Sequence, residues 1–365
     1  MSEEKTAEEG KPRGLYERLK TDDTGWELWA KIGVVVLVGQ MIAFAIAFAR
    51  IGQPSVYAWS IVIPMMGFAT FPLTFWGLIR AIFRPPVFRM SRTWGFLALI
   101  IVGFFGNAPI FPAPVSTMDW QSEHTYYLPF DGEWATLAGG KDKARNHHAV
   151  SPSHRFAYSF VPVMDGKRYE GDGTRLEEHY CFGRDVHAPA AGMVIQAMGG
   201  EEDHQPGSFD PNRILGNHVV IQIDEGEYLF MAHMRRGSLK VRPGDQVEQG
   251  QLVGQCGNSG RSFTPHLHVH LQNSRAFPMA EGLPLRFSAY YADGEPTELG
   301  MPRGVEDVET ELGTRVRRLQ PIQEGIILAA DSDEESQEET GEDQDDLATK
   351  ELASDEKSPT LDPDP

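Results

Sequence analysis

Basic residues are scarce in this 365-residue chain, which has 33 Lys and Arg against 52 Asp and Glu and a formal net charge of −19. A nucleic-acid-binding surface needs concentrated positive charge, so no nucleic-acid partner is expected. From residue 331 onward, 15 acidic residues accompany only Lys350 and Lys357, which leaves a charge of −6 for the rest. We therefore expect residues 326–365 to form a disordered acidic tail.

Charged residues are absent from three long stretches near the N-terminus, residues 32–49, 51–79 and 94–118. Each stretch reaches the roughly 18 uncharged residues that indicate a membrane span. A cleaved signal peptide would not supply three such stretches. We predict a cytoplasmic N-terminus (1–29) and an N-terminal transmembrane segment (30–115) of three helices. Their expected positions are about 32–49, 57–79 and 95–112.

Acidic residues are absent from the loop between the second and third stretches, which holds Arg80, Arg84, Arg89 and Arg92. Loops rich in Arg and Lys remain cytoplasmic. This rule places the loop inside, together with the N-terminus, which holds Arg13, Arg18, Lys20 and Lys31. Three crossings then bring the chain after about Pro112 to the outside. We expect a membrane-embedded protein whose C-terminal domain lies outside the cytoplasm.

The chain has only two cysteines, Cys181 and Cys256, and both lie on the predicted outer side. An oxidising compartment would permit a disulfide between them. The sequence does not show whether the two side chains meet.

Helical periodicity is absent between Tyr126 and Ala276. This region instead has short β-type runs separated by Gly, Pro, Asn and Asp. The runs 218–223 and 228–231 flank Asp224-Glu225-Gly226-Glu227, which is typical of a β-hairpin. Residues 120–325 are therefore predicted to be an all-β, antiparallel domain.

The most informative motif of this domain is Pro265-His266-Leu267-His268-Val269-His270. In an extended strand, alternate side chains point the same way, so the three histidines share one face. The apolar side chains between them then point into a core. Neutral imidazole is a common zinc ligand and a general base near neutral pH. One strand can thus supply both a metal ligand and a proton-transfer group.

Several motifs, taken in order, resemble the lysostaphin-like (LytM-type) zinc metallopeptidases, which are peptidoglycan endopeptidases. The resemblance covers roughly residues 127–286 and comprises Gly183-Arg184-Asp185-Val186-His187-Ala188-Pro189, Gly216-Asn217-His218, Ala232-His233, Gly257-Asn258-Ser259-Gly260 and Pro265-His266-Leu267-His268. It implies a Zn²⁺ ion held by two His and one Asp. By position, His268 matches a metal ligand, while His233 and His266 match the two catalytic histidines.

The first metal motif departs from the family pattern. One branch of the family carries Asn-Tyr-His about eleven residues before an Asp that ends a Gln-Arg-Tyr-Ala-x-Asp strand. This chain has Asn146-His147-His148, followed by His154-Arg155-Phe156-Ala157-Tyr158-Ser159. The resemblance makes His148 a ligand and places Ser159 at the Asp position, while His154 replaces the Gln and is a second candidate ligand. Asp165 and Asp185 are possible replacements for the missing carboxylate.

Two functions follow from this pattern. The first is a membrane-anchored zinc metalloendopeptidase that hydrolyses peptide bonds in peptidoglycan and so remodels the cell wall. The resemblance then implies the bacterial cytoplasmic (inner) membrane, with the C-terminal domain periplasmic or extracellular. It is supported by His233, His266 and His268. The alternative is a catalytically degenerate domain that binds wall peptides or regulates another wall hydrolase, and Ser159 supports that alternative.

Overall fold

The computed structural model describes residues 25–84, 89–107, 110–305 and 312–322. The predicted acidic tail and most of the predicted cytoplasmic N-terminus lie outside these residues. The described chain consists of N-terminal helices followed by a β domain.

The helical part contains three long helical runs. Helix α1 spans Leu28–Phe48, and α4 spans Met90–Asn107. Between them, α2 (Gln53–Tyr57), a π-helical turn (Ala58–Val62) and α3 (Ile63–Phe83) form one continuous run. Many large apolar side chains of these helices are exposed.

Two of these runs, Leu28–Phe48 and Gln53–Phe83, are long and apolar enough to cross a membrane, and no third helix of the described chain is. The structure thus supports two of the three predicted membrane spans. Helix α4 starts at Met90, several residues earlier than expected, and includes Arg92. The sequence alone predicts a loop position for Arg92, because this residue is charged. In the structure Arg92 is buried, and its guanidinium donates to Glu27 Oε1 at 2.6 Å, so the helix accommodates this charge.

The β domain is built almost entirely from antiparallel pairs, as predicted. Its helical elements within the described residues 126–276 are two short 3₁₀ turns, His147–Val150 and Leu176–Glu178. The strands are β1 (Trp134–Ala138), β2 (Tyr158–Pro162), β3 (Asp185–His187), β4 (Gly192–Met198), β5 (Asn217–Asp224), β6 (Glu227–Met234), β7 (Gln246–Val247), β8 (Leu252–Gln255), β9 (Leu267–Gln272), β10 (Gly282–Leu283), β11 (Phe287–Ala292), β12 (Glu295–Gly300) and β13 (Arg315–Arg318).

The strand order of the main sheet is β12-β11-β13-β1-β2-β9-β6-β5-β4-β7, and β10 also pairs with β9. Strands β3 and β8 form a separate ribbon. The predicted hairpin is confirmed, because β5 and β6 pair directly around Glu225 and Gly226. The central position of β9 gives its side chains neighbours on both sides.

The core of the domain lies on one face of this sheet. Leu267, Val269 and Leu271 of β9 are almost completely buried in it, which confirms the predicted inward face of the strand. Burying each such side chain contributes roughly 1.5–3 kcal/mol. Since the period of a strand is two residues, this burial directs the intervening histidines to the opposite face.

The two cysteines meet: Cys181 and Cys256 form a disulfide across 75 residues of sequence. Both side chains lie in the main core. The bridge therefore joins the loop before β3 to the end of β8, next to the segment that leads to β9.

The helices contact the β domain close to the histidine-bearing segments. The Trp59 indole donates to the backbone oxygen of Val150 at 2.9 Å, at the end of the first 3₁₀ turn. The Gln53 amide donates to Met279 O at 2.7 Å. These contacts link the helical segment to the loops that carry candidate functional residues.

Candidate metal and catalytic site

His268 is the centre of the site. Across the sheet it is paired with Ser159 of β2 on one side and with Ala232 of β6 on the other. Because both neighbours are small, they leave room for the imidazole between the strands. His268 is buried, and rings from several other segments surround it.

His148 reaches this centre from the first 3₁₀ turn. The Asn146 side chain caps the turn by accepting from His148 N at 3.1 Å, and its amide donates to Gly140 O and Ala157 O. This capping places His148 Nε2 at 2.9 Å from Ser159 Oγ. The His148 and His268 ring centroids are 4.8 Å apart. The two positions singled out by the resemblance are therefore adjacent in space.

His154 also lies close to His268. Its ring centroid is 5.1 Å from that of His268 and 4.8 Å from that of His270. Candidate ligand atoms of His154, His268 and His270 all lie within 4.8 Å of one another. His270 was not assigned a role from the sequence, although the alternation His-x-His-x-His already placed it on the same face.

His233 and His266 form a second pair of rings beside His268. Their ring centroids are 4.8 Å apart, and with His268 they form a second group of ligand atoms within 4.8 Å. His233 Nδ1 lies 2.9 Å from Ser259 O, and His266 Nδ1 lies 2.9 Å from Thr264 O. A carbonyl only accepts, so each ring donates through Nδ1–H and keeps a lone pair on Nε2.

The backbone around His233 is unusual. His233 has a φ of 61°, in the left-handed region, and the β5–β6 register shifts between Asn217 and His218, directly opposite. An irregularity of this kind redirects a side chain out of the regular ladder. Here it brings His233 to the site.

Two loops pack closely together and hold in place the backbone oxygen of Ser259, which accepts a hydrogen bond from His233. A Cβ atom on Gly216 would lie 2.5 Å from the backbone of Ser259, and one on Gly260 would lie 2.4 Å from Gly216 N. Ser259 Oγ also accepts from Asn217 N at 2.9 Å. The two glycines thus permit the contact that positions Ser259 O at His233 Nδ1.

Burial keeps these imidazoles neutral at pH 7. Burial, together with the nearby His147, lowers the pKa of His154 and of His266 to about 4. Burial, followed by the proximity of neighbouring imidazoles, holds the pKa values of His148, His233 and His268 well below 6.5. Neutral imidazole is the form that binds a metal or accepts a proton.

The donor set fits a divalent ion such as zinc. His268 Nδ1 is a buried nitrogen with no hydrogen-bond partner among the described residues. An orphaned buried polar atom is rare in a folded protein and often marks an ion. Three imidazoles are a known zinc donor set. His154 and His268 share a group of ligand atoms within 4.8 Å, whereas His148, the ligand that the resemblance implies, belongs to neither group.

The two aspartates considered as replacements for the missing carboxylate do not join the cluster. Asp165 is exposed in a turn after β2. Asp185 is also exposed, and it accepts from the Gln255 amide at 3.0 Å. In the part of the chain that the structure describes, both groups of potential metal ligands consist only of histidine. His179 and His218 make structural hydrogen bonds to Gly173 O and Gly216 O.

The fold and the cluster define an antiparallel β domain with a multi-histidine site. Residues 172–278 match the model of Peptidase family M23. The chain therefore carries a domain of this family of LytM-type, lysostaphin-like peptidases, as the sequence resemblance indicated. The matched residues include His233, His266 and His268, whereas His148, His154 and Ser159 precede them.

Among curated proteins, the chain is similar to the peptidoglycan DD-endopeptidase ShyA of Vibrio cholerae, with 26% identity over 156 residues, which cover 41% of this chain and 32% of ShyA. It is also similar to endolysin 2638A of Staphylococcus phage 2638A, with 30% identity over 129 residues, or 32% of this chain and 24% of the endolysin. The matches thus span a third or less of each relative.

Among solved structures, a zinc-containing peptidase from Vibrio cholerae aligns with a TM-score of 0.27 and 16% identity, over 48% of this chain and 39% of that one. The catalytic domain of lysostaphin from Staphylococcus simulans aligns with a TM-score of 0.20 and 24% identity, over 31% of this chain and 88% of that one.

Proposed function

We propose that the protein is a membrane-anchored zinc metalloendopeptidase that hydrolyses peptide bonds in peptidoglycan. The observation that carries this proposal is the buried cluster of neutral histidines around His268, whose Nδ1 has no partner among the described residues. The M23 domain and its peptidoglycan endopeptidase relative support the substrate class.

In this proposal His268 and His148 hold the zinc ion, and His154 is a further ligand on the same side. A zinc ion held there would lower the pKa of its bound water to about 7 and would polarise the scissile carbonyl. His148 offers Nε2, which is directed at Ser159 Oγ. Ser159 contributes a neutral hydroxyl where the family places a carboxylate, so the ligand set is less negative than usual.

His233 and His266 are the proposed proton-transfer residues. Each presents an unprotonated Nε2, because its Nδ1–H is held by a backbone carbonyl. Either ring can accept a proton at Nε2 and then donate that hydrogen to a developing oxyanion or a leaving amine. Their fixed orientation means that little reorganisation accompanies this transfer.

The apolar N-terminal helices support a location of the β domain next to the cell wall. We propose that the helices anchor the domain in the bacterial cytoplasmic membrane with the N-terminus inside and α4 as a third crossing. The Cys181–Cys256 disulfide supports an extracytoplasmic β domain, because such bridges persist in oxidising compartments. The contacts of Trp59 and Gln53 then hold the site near the bilayer surface.

One observation favours a second function. The Ser159 hydroxyl lies within hydrogen-bond distance of His148 Nε2, the atom that would otherwise bind the metal. In that alternative the domain has lost hydrolysis and binds wall peptides, or regulates another wall hydrolase.

The test uses the full chain purified in detergent, without a histidine tag. Zinc content and release of peptides from purified peptidoglycan are measured for the wild type, His268→Ala and Ser159→Asp. Stoichiometric zinc and hydrolysis in the wild type, both lost in His268→Ala, support the peptidase. Binding to peptidoglycan without zinc or hydrolysis, with hydrolysis gained only in Ser159→Asp, supports the alternative.

A further inference from the structure

A chain of buried hydrogen bonds leads away from His268 along strand β9. His268 Nε2 lies 3.0 Å from His270 Nδ1, and His270 Nε2 lies 3.2 Å from Gln272 Oε1. The Gln272 amide nitrogen donates to the backbone oxygen of Ser274. The side chains of His268, His270 and Gln272 are all buried.

The donor and acceptor of each bond follow from the last acceptor of the chain, the backbone oxygen of Ser274. The backbone oxygen of Ser274 only accepts, so the Gln272 NH₂ group faces it and Gln272 Oε1 faces His270. An amide oxygen also only accepts, and therefore His270 Nε2 carries the hydrogen. A neutral imidazole has one such hydrogen, so His270 Nδ1 has a lone pair.

The same logic fixes His268. Because His270 Nδ1 accepts, His268 donates through Nε2–H, and its Nδ1 is left with a lone pair. This Nδ1 is the buried atom without a hydrogen-bond partner among the described residues. We propose that His270 and Gln272 are positioning residues that lock His268 in the tautomer whose Nδ1 binds the metal.

The geometry also argues against His270 as a metal ligand. If His268 and His270 both bound one ion through the facing nitrogens, His268 Nδ1 would have to carry a buried hydrogen without an acceptor. Leaving such a donor unsatisfied costs about 1–3 kcal/mol. The hydrogen-bonded chain His268–His270–Gln272, here called the relay, leaves no such donor, because each ring N–H in it has an acceptor.

The neighbours of His270 support a rigid relay. The Phe230 ring stacks on His270, with centroids 4.7 Å apart and an interplanar angle of 13°. Phe277 lies 6.0 Å from His270 and 4.9 Å from His154. These rings restrict rotation of His270, so the tautomer set by Gln272 is passed on to His268.

The inference rests on the proposed metal site, but the tautomer can be measured without metal. The full chain in detergent is labelled with ¹⁵N-histidine, and the ring nitrogens are recorded by NMR, with the His268 signals assigned through His268→Ala. The wild type should show His268 protonated at Nε2 only, and Gln272→Leu should show a mixture of tautomers. Unmixed Nε2–H in Gln272→Leu, or Nδ1–H in the wild type, overturns the proposal.

Zinc affinity, measured by competition with a chelator, gives the second readout. Gln272→Leu and His270→Leu should bind zinc about 10–100-fold more weakly, as expected for groups that orient a ligand. Gln272→Glu and His270→Asn keep an acceptor at the same place and should retain most of the affinity. His218→Asn, which changes a buried histidine outside the cluster, is the matched control.

Two outcomes separate this inference from the proposed function. A wild type that binds no zinc contradicts the proposed function, while the NMR result still decides whether the relay sets the tautomer. Loss of zinc in His270→Asn as complete as in His268→Ala overturns the positioning role, because it identifies His270 as a ligand.

Discussion

His148 Nε2 lies 2.9 Å from Ser159 Oγ, so the candidate first ligand faces a hydroxyl across the space beside His268. Ser159 and His268 are direct partners in the β2–β9 ladder. A carboxylate at position 159 would therefore lie next to both imidazoles.

Ser159→Asp should strengthen zinc binding at least 10-fold, because it adds a negative charge facing a dication, and an effect this large is typical even of groups that only orient ligands. The zinc dissociation constant is measured by chelator competition. Ser159→Asn has nearly the same shape without the charge and is the control. Equal affinities of the Asp and Asn variants would show that position 159 does not face the ion.

His233→Ala and His266→Ala should retain zinc and reduce peptidoglycan hydrolysis by about 10²–10⁴-fold each, the usual effect of losing a general acid or base. Zinc content and peptide release are measured on the same samples. Loss of zinc from either variant would make that histidine a ligand and contradict its assignment to proton transfer.

Much of this site was visible in the sequence because it depends on local periodicity. The alternation correctly brought His266 and His270 close to His268, although β9 begins only at Leu267, and it placed the apolar residues between them in the core. The β5–β6 hairpin at Asp224–Glu227 was predicted from equally local sequence features. Such features depend on neighbours one or two residues apart.

Features that depend on distant contacts were not predictable. The pairing of Cys181 with Cys256 needs the folded loop before β3. The position of Arg92 within α4 depends on Glu27, 65 residues earlier in the chain. The relay from Gln272 to His268 requires side-chain geometry that no sequence spacing specifies.

Removal of the disulfide in the double variant Cys181→Ala, Cys256→Ala should lower the free energy of unfolding by about 2–5 kcal/mol, because the bridge closes a long loop. The free energy of unfolding is measured in urea for the full chain in detergent. The reduced wild type should match the double variant. An unchanged stability would mean that the bridge does not constrain the unfolded chain.

The metal-free protein should become less stable as the pH falls from about 6.5 to about 4. Unfolded histidines bind a proton near pH 6.5, whereas burial lowers the folded pKa of His154 and His266 to about 4. Between pH 6.5 and about 4 the unfolded state therefore binds more protons than the folded state. The free energy of unfolding decreases as the pH is lowered through this window and becomes constant below it.

Urea unfolding at several pH values, with the metal removed by a chelator, measures this slope. The double variant His154→Asn, His266→Asn should have a shallower slope. A wild-type stability that is constant between pH 6.5 and 4 would contradict the burial of these rings as neutral groups.

The most direct test of a zinc ion bound by the His268 cluster is the metal content of the untagged full chain after dialysis against metal-free buffer. The account predicts one zinc per chain in the wild type and none in His268→Ala, with His218→Ala unchanged. No zinc in the wild type, or the same zinc content in His268→Ala, would contradict it.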